Sequence, residues 1–202
     1  MGARSKAAIS RRALLGAAAA CVMPIHARAA AAGSVLAVQG QGFAEAGAAR
    51  RELSAKSNVF IGDLVGTGVS SRLAMQLGAA TLVRLGPEAR VQIDSFIVNA
   101  GGVLDLQGGA LLFDGPPQKS RGISVRSPFA LIAVRGTRFF AGPSRGVFGV
   151  FVARGRVRVT AGGRRVELSQ GMGTNIASPG EPPTDPTAWG ADRIREALAS
   201  VQ

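Results

Sequence analysis

Aspartates are the residues of this chain whose side chains could most directly do chemistry. The 202 residues contain only 12 acidic side chains, and Asp63, Asp94, Asp105 and Asp114 lie at expected turns or strand ends. Two carboxylates held at a defined separation could hydrolyse a glycosidic bond. No pair stands out by spacing, and aspartate is favoured at turns because its side chain bonds to the backbone. We therefore predict no catalytic residues, with Asp63 stabilising neighbouring amides.

A second set of candidate functional side chains consists of arginines in the last third of the chain. Strand side chains alternate between two faces, so Arg154, Arg156 and Arg158 are expected on one side of a strand. Arg164 and Arg165 follow a turn at Gly162-Gly163. Such a ladder is either a solvated strand face whose charges block aggregation or a surface for an anionic partner, an acidic protein surface or an envelope polymer.

The first 29 residues predict a secretory signal peptide. An apolar run from Ala13 to Met23 lies between a basic start and a small-residue cleavage site at 27–29. The sequence SRRALL within it is typical of a twin-arginine export signal. We predict export through that pathway to the periplasm and cleavage, since the run is shorter than the roughly 20 residues of a membrane-spanning helix. Lipid attachment at Cys21 and a retained membrane helix are the alternatives.

Cleavage would change the chemical inventory of the chain. The only cysteine, Cys21, and the only histidine, His26, fall inside the leader, and the chain has no tyrosine. A mature chain would lack disulfides, Cys or His zinc sites, and triads that need histidine. We therefore predict no enzyme activity, no metal and no cofactor. With 19 basic and 12 acidic residues left, the mature chain is less basic than is usual for nucleic-acid binders, and no such partner is expected.

The region 34–176 predicts one all-β domain. Short apolar runs are broken by glycine at close intervals, and strands of about eight residues fit a twisted β-solenoid and a sandwich equally well. Gly108-Gly109 and Gly162-Gly163 are predicted hairpin turns. Prolines in 177–186 predict an extended linker, and 187–202 a short helix with Trp189, Ile194, Leu198 and Val201 roughly on one side. That helix either packs back onto the β domain or docks a partner.

The sequence SPFALIAVRGTRFF, residues 127–140, has the strongest β pattern. Pro128 favours a turn, and the run 129–134 is apolar on both faces, as in a fully buried strand. Gly136 permits a bulge before strand residues resume. For Arg135 we predict a buried or edge guanidinium that pairs with a carboxylate or turn carbonyls. A direct ligand contact is the alternative.

Residues 124–140 resemble the closing motif of the FecR domain. In that family a Ser-Pro or Thr-Pro turn precedes an apolar strand, Val-Arg-Gly-Thr and an aromatic strand. The opening sequence SVLAVQGQG and the Gly-Asp and Thr-Gly pairs that follow are also similar to the family's pattern. The resemblance spans 34–176, and it implies mainly structural roles for the motif residues Gly62, Asp63, Thr67, Gly68, Pro128, Val134, Arg135, Gly136, Thr137 and Phe139.

Membership of this family would imply a twisted, solenoid-like β domain outside the cytoplasm. The best-known members are membrane-spanning regulators of iron uptake that control a sigma factor. Only about a dozen residues precede the apolar run here, so we do not expect a sigma-binding segment. The expected function is a non-enzymatic sensing, signalling or scaffolding module of the bacterial envelope. A membrane-anchored FecR-like regulator and a carboxylate-dependent envelope hydrolase are the alternatives.

Overall fold

A computed structural model describes Gly2 and residues 31–97, 101–116 and 122–202. The predicted signal peptide, with Cys21 and His26, lies outside the described residues except for Gly2. The elements in chain order are β1 (Ala31–Gln39), β2 (Gly42–Ala46), β3 (Ala49–Glu52), β4 (Asn58–Phe60), β5 (Leu64–Thr67), β6 (Arg72–Leu77), β7 (Thr81–Leu85), β8 (Arg90–Ile97), β9 (Gly101–Gly108), β10 (Leu111–Asp114), β11 (Ile123–Arg126), β12 (Leu131–Val134), β13 (Arg138–Ser144), β14 (Val147–Arg154), β15 (Arg156–Ala161), β16 (Arg164–Ser169), β17 (Met172–Ile176), β18 (Thr187–Ala188) and α1 (Ala191–Ala199).

The strands form two nine-stranded sheets that enclose one core. Sheet 1 has the order β18-β17-β14-β13-β10-β7-β6-β1-β4, and sheet 2 has the order β16-β15-β12-β11-β9-β8-β5-β2-β3. Buried residues from both sheets, among them Val83 and Phe139 of sheet 1 and Ile93 and Ile132 of sheet 2, belong to the same apolar cluster. The all-β prediction is confirmed, since the two sheets pack as a sandwich.

The chain changes sheet repeatedly as it advances along the sandwich. The hairpins β6-β7 and β13-β14 lie in sheet 1, whereas β8-β9, β11-β12 and β15-β16 lie in sheet 2. The fold therefore combines a sandwich cross-section with the stepwise advance of a solenoid. Gly162-Gly163 joins the paired strands β15 and β16, as predicted. The hairpin predicted at Gly108-Gly109 is wrong, because β9 and β10 belong to different sheets.

The apolar run before Arg135 differs from the prediction of a strand buried on both faces. The strand β12 begins only at Leu131, whose exposed fraction is 44%, whereas Ile132 and Val134 are buried. One face of β12 points into the sandwich and the other lies on the outer surface of sheet 2. The apolar run therefore contributes Leu131 to the outer surface and Ile132 and Val134 to the core.

A second apolar cluster lies on the outer face of sheet 1, beneath α1. The side chains of Leu112, Phe140 and Phe151 alternate with inward-facing neighbours and meet Trp189 and α1. This explains why β10, β13 and β14 are apolar on successive residues: both faces of sheet 1 are covered there.

The C-terminal segment therefore packs back onto the β domain, the first of its two predicted roles. The helix is shorter than the predicted 187–202, since residues 187–188 form β18 and pair with β17. Arg145 donates two hydrogen bonds of 2.9 Å to Glu196, and they lower the pKa of the Glu196 carboxyl below its ordinary value. Within the described ranges, no helix has the length and hydropathy that crossing a bilayer requires.

Candidate functional site

The Gly62-Asp63 pair forms the corner at which the chain passes from sheet 1 to sheet 2. Gly62 has a φ of 90°, a left-handed conformation that favours glycine. The Asp63 carboxylate is 2% exposed. It accepts a 2.8 Å hydrogen bond from the Phe60 amide and an ion pair from Arg51. Asp63 therefore connects β3, β4 and β5. Its carboxylate oxygens bind other groups of the protein and have a structural role.

The Thr67-Gly68 pair forms the next corner, where the chain leaves sheet 2. The Thr67 hydroxyl donates a 2.6 Å hydrogen bond to the Gly86 carbonyl and accepts one of 2.9 Å from the Ala89 amide. Since residues 86–89 form the following crossover, one side chain joins two consecutive corners. The Gly68 amide donates to the Gln41 carbonyl over 2.9 Å.

The substitution Thr67→Val is expected to lower the free energy of unfolding by about 1–3 kcal/mol, because it leaves a buried amide and a buried carbonyl without a partner. Urea denaturation followed by circular dichroism measures this loss. Thr137→Val is the matched control, because the Thr137 hydroxyl is buried and makes no hydrogen bond with any described residue. Its expected effect is neutral or stabilising, because it removes a buried hydroxyl that has no partner. Equal losses in both variants would contradict the assigned role of Thr67.

The closing motif forms a hairpin turn and a third corner. Ser127 accepts a 3.0 Å hydrogen bond from the Ala130 amide, with exposed Pro128 inside the turn. Gly136 has a φ of 62° and leads from sheet 2 to sheet 1. A Cβ added at Gly155, the return corner, would lie 2.9 Å from the Thr137 methyl. The two corners therefore pack against each other.

Two further motif residues belong to the core. Val134 is 4% exposed and Phe139 is fully buried, and the Phe139 ring lies 5.4 Å from that of Phe113. These side chains position the corner between them, and Arg135 has an exposed polar side chain at that corner. With the described residues, Arg135 makes no ion pair, so the predicted carboxylate partner is not present there.

The predicted arginine ladder is divided between the two sheets. Arg154 ends β14 in sheet 1, whereas Arg156 and Arg158 lie on β15 in sheet 2, because Gly155 is a corner. Arg154 donates to Asp114 over 2.9 Å and to the Gly115 carbonyl over 2.8 Å. Arg154 therefore connects the end of β14 to the end of β10.

Arg164 is engaged by the proline-rich segment. Its guanidinium donates a 3.0 Å hydrogen bond to the Pro183 carbonyl and forms an ion pair with Asp185. Burial alternates along β15 and β16, so Arg156, Arg158, Arg165 and Glu167 lie on the outer face of sheet 2. Of the five predicted arginines, Arg156, Arg158 and Arg165 lie on the same face, whereas Arg154 and Arg164 lie apart from them.

A shallow basic groove of about 400 Å³ crosses this outer face. It is lined by Ala133, Val134, Arg135, Arg156, Val157, Arg158 and Glu167. Arg158 donates a 2.8 Å hydrogen bond to Glu167, which lowers the pKa of the Glu167 carboxyl below its ordinary value. The sequence placed Arg135 in a structural role; its exposure follows from the end of β12 at Val134, one residue before it.

The four aspartates considered for hydrolysis have different surroundings. Asp63 pairs with Arg51, Asp94 with Arg126 and Asp114 with Arg154, and Asp105 lies on β9 opposite Arg126. Glu167 is the one carboxylate that lines the basic groove. In the described ranges, no three Asp, Glu, His or Cys side chains form a group able to hold a metal ion.

The fold and this surface define a class of protein: a two-sheet β domain with glycine corners, a docked C-terminal helix and an arginine-lined groove on one outer face. Residues 63–158 match the family described as FecR protein. This match begins at the Asp63 corner and ends at Arg158 of the basic groove. A comparison with curated proteins finds no match.

Two solved structures have a similar fold. Both are crystal structures of a candidate anti-sigma factor from Parabacteroides distasonis ATCC 8503, with a TM-score of 0.58 and 15% sequence identity over 67% of this chain. The match covers 64% of the length of the anti-sigma chain in one and 63% in the other. At this identity the likeness shows the fold alone.

Proposed function

We propose that this protein is a non-enzymatic FecR-type module that acts in signalling at the bacterial envelope by binding a partner protein. The match of residues 63–158 to the FecR protein family is the observation that carries the proposal. The similarity of fold to a candidate anti-sigma factor supports a regulatory role over a metabolic one. Its mode of action is recognition, with the two sheets providing a rigid scaffold for surface contacts.

Export to the periplasm is part of this proposal. The basic start, apolar run and small-residue site of residues 1–29 support a cleaved leader. The arginine pair Arg11-Arg12 supports the twin-arginine route, which transports folded cargo. This route suits the domain, because its strands pair across long sequence separations and such folds form slowly.

The surface proposed for the partner is the outer face of sheet 2. Between Asp114 and Glu181 the sequence contains eleven basic residues and one acidic residue, Glu167. Several of these arginines form ion pairs elsewhere in the protein, whereas Arg156, Arg158 and Arg165 face outward from sheet 2. Such a face attracts anionic surfaces, and this attraction weakens as salt rises.

Crosslinking in living cells tests the proposed function. A tagged protein carrying a photo-crosslinking amino acid at Leu131, an exposed position on the outer face of sheet 2, is expected to capture one defined envelope protein. The same crosslinker at Val69, 75% exposed at a sheet 2 to sheet 1 corner, is the control. Deletion of the captured protein or of this gene should alter the same transcripts. No shared transcriptional change would overturn the signalling role.

N-terminal sequencing of the same purified material tests export. The expected mature chain begins near Ala30, and replacing Arg11-Arg12 by Lys-Lys is expected to leave an uncleaved precursor in the cytoplasm. A lipid-modified Cys21 would show instead that the protein is a lipoprotein. An intact N-terminus in the membrane fraction would show that it keeps its membrane helix.

A further inference from the structure

The basic groove has a geometry that the sequence alone does not show. In the register of β12 and β15, Val134 pairs with Val157 and Ala133 with Arg158. Arg135, one residue beyond β12, therefore lies beside Arg156, and both line the groove. Neighbouring strands are about 4.8 Å apart, so two guanidinium groups occupy adjacent places with the short side chain of Ala133 beside them.

Charge in this groove is unbalanced. Arg135 and Arg156 make no ion pair with any described residue, and Arg158 shares the single carboxylate of Glu167. Like charges on neighbouring strands repel each other. Five arginines of this part of the chain, by contrast, bind carboxylates elsewhere: Arg126, Arg138, Arg145, Arg154 and Arg164. An anionic group from outside would relieve the repulsion that remains.

Apolar atoms form the rest of the surface. Ala133 contributes its methyl group to the lining, and Leu131, two residues before it on the same face of β12, is 44% exposed. A bare phosphate or a sugar polymer would use the guanidinium groups and leave these aliphatic groups in water. A peptide with both acidic and aliphatic side chains uses both parts of the surface.

We propose that the basic groove binds an extended acidic segment of a partner protein in which Glu or Asp alternates with aliphatic residues along one face, that is, at every second position. The proposal deepens the proposed function and rests on it, since it names the chemistry of the partner. Carboxylates match the planar fork of arginine and can bind it through two parallel hydrogen bonds. An extended segment suits the flat strand face because its side chains repeat every second residue.

Glu167 competes with such a partner from inside the protein. Its carboxylate accepts hydrogen bonds of 3.2 Å and 2.8 Å from Nε and Nη2 of Arg158. The side-chain exposed fractions of the two residues are 52% and 63%, so the pair is weak and can open. Removing Glu167 should therefore strengthen binding, whereas removing an arginine should weaken it.

Fluorescence polarisation with a labelled eight-residue peptide in which Glu and Val alternate at every second position, with Ser between them, tests the proposal on the purified full chain. The same peptide with Gln in place of Glu is the uncharged probe, and poly-glutamate and inorganic phosphate are the anionic competitors without aliphatic groups. We expect saturable binding of the Glu-Val peptide that weakens between 50 and 500 mM NaCl, and binding of the Gln-Val peptide at least about thirtyfold weaker.

Matched variants locate the site. Arg135→Gln and Arg156→Gln are each expected to weaken binding about tenfold, the loss of one charge-assisted hydrogen bond. Glu167→Gln is expected to tighten it about threefold to tenfold. Arg195→Gln and Asp192→Asn change charge equally on α1, where the side chains are 74% and 75% exposed, and should leave binding within about twofold. Melting temperatures of all variants show that each is folded.

The outcomes separate this proposal from the proposed function. No binding, equal binding of both peptides, or equal losses from Arg156→Gln and Arg195→Gln would overturn the groove as a peptide site. Competition by poly-glutamate as strong as that of the unlabelled Glu-Val peptide would overturn the acidic and aliphatic pattern in favour of a general anion surface. In each case a partner captured in cells and a shared transcriptional effect would leave the signalling role intact.

Discussion

The substitution Gly173→Ala is expected to displace Trp189 from the outer face of sheet 1. A Cβ added at Gly173 would lie 2.2 Å from the indole Nε1, and one at Gly149 would lie 2.8 Å from the far edge of the same ring. The ring also stacks on Phe151 at 5.2 Å. Because the ring lies directly on the two glycines, a methyl group at Gly173 requires the indole to move.

The expected loss in the free energy of unfolding is about 3–5 kcal/mol, the range for removing a large aromatic side chain from a core. Trp189 also holds Arg193, whose guanidinium lies 3.7 Å from the ring centre and donates to Asn175 over 2.7 Å. Loss of the indole therefore releases α1 as well as the ring, and exposes Phe140 and Phe151 beneath it.

The single tryptophan of the chain reports this change directly. Its emission maximum should shift to longer wavelength in Gly173→Ala, and the urea midpoint should fall. Gly190→Ala is the matched control, because a Cβ there meets no atom within 4 Å and the φ of −68° suits alanine. An unchanged emission maximum with native stability in Gly173→Ala would refute the packing described here.

The sequence predicted the element types well because their signals are local. Alternation in β6, β7 and β15 depends only on neighbouring residues, and the apolar side of 187–202 predicted that Trp189, Ile194, Leu198 and Val201 would share a face. All four lie in or against the cluster beneath α1. A local pattern shows that a face is buried, and that is enough to locate an amphipathic helix.

Assignment of strands to sheets was not predictable in the same way. Gly108-Gly109 looks like a hairpin turn, and Gly162-Gly163 is one, yet only the first lies between two sheets. The difference lies in long-range packing: a Cβ at Gly109 would come within 2.4 Å of the Ala89 Cα, in a different crossover. Glycine is required there by a close approach that sequence spacing does not encode.

In the candidate site, too, the sequence predicted what depends on neighbouring residues and not what depends on distant contacts. Alternation placed Arg156 and Arg158 on one face correctly, but the left-handed Gly155, with a φ of 86°, moves Arg154 to the other sheet. The isolation of Arg135 depends on where the carboxylates lie: Asp114 reaches Arg138 and Arg154, and Arg135 points to the opposite surface. Ion pairing within sheet 1 therefore uses Arg138 and Arg154 and leaves Arg135, at the end of β12 in sheet 2, available.

The substitution Asp63→Ala is expected to lower the free energy of unfolding by about 2–4 kcal/mol. It leaves the Phe60 amide without its acceptor and the Arg51 guanidinium without its partner. Removing one member of a buried charged pair costs up to about 5 kcal/mol, and the 36% exposure of Arg51 reduces this figure. Because Asp63 joins β3, β4 and β5 at one corner, its loss should also speed hydrogen exchange in all three strands.

A series of variants separates the two contributions of Asp63. Asp63→Asn keeps an oxygen for the Phe60 amide and loses the charge, so its loss should be smaller than that of Asp63→Ala. Arg51→Gln should cost more than Asp63→Asn, because it leaves the carboxylate of Asp63, which is 2% exposed, charged and without its partner. Asp94→Ala is the control: its pair with Arg126 is half exposed on both sides and is worth about 1 kcal/mol or less. Urea denaturation gives all four values, and equal losses for Asp63→Ala and Asp94→Ala would show that the corner does not depend on the buried carboxylate.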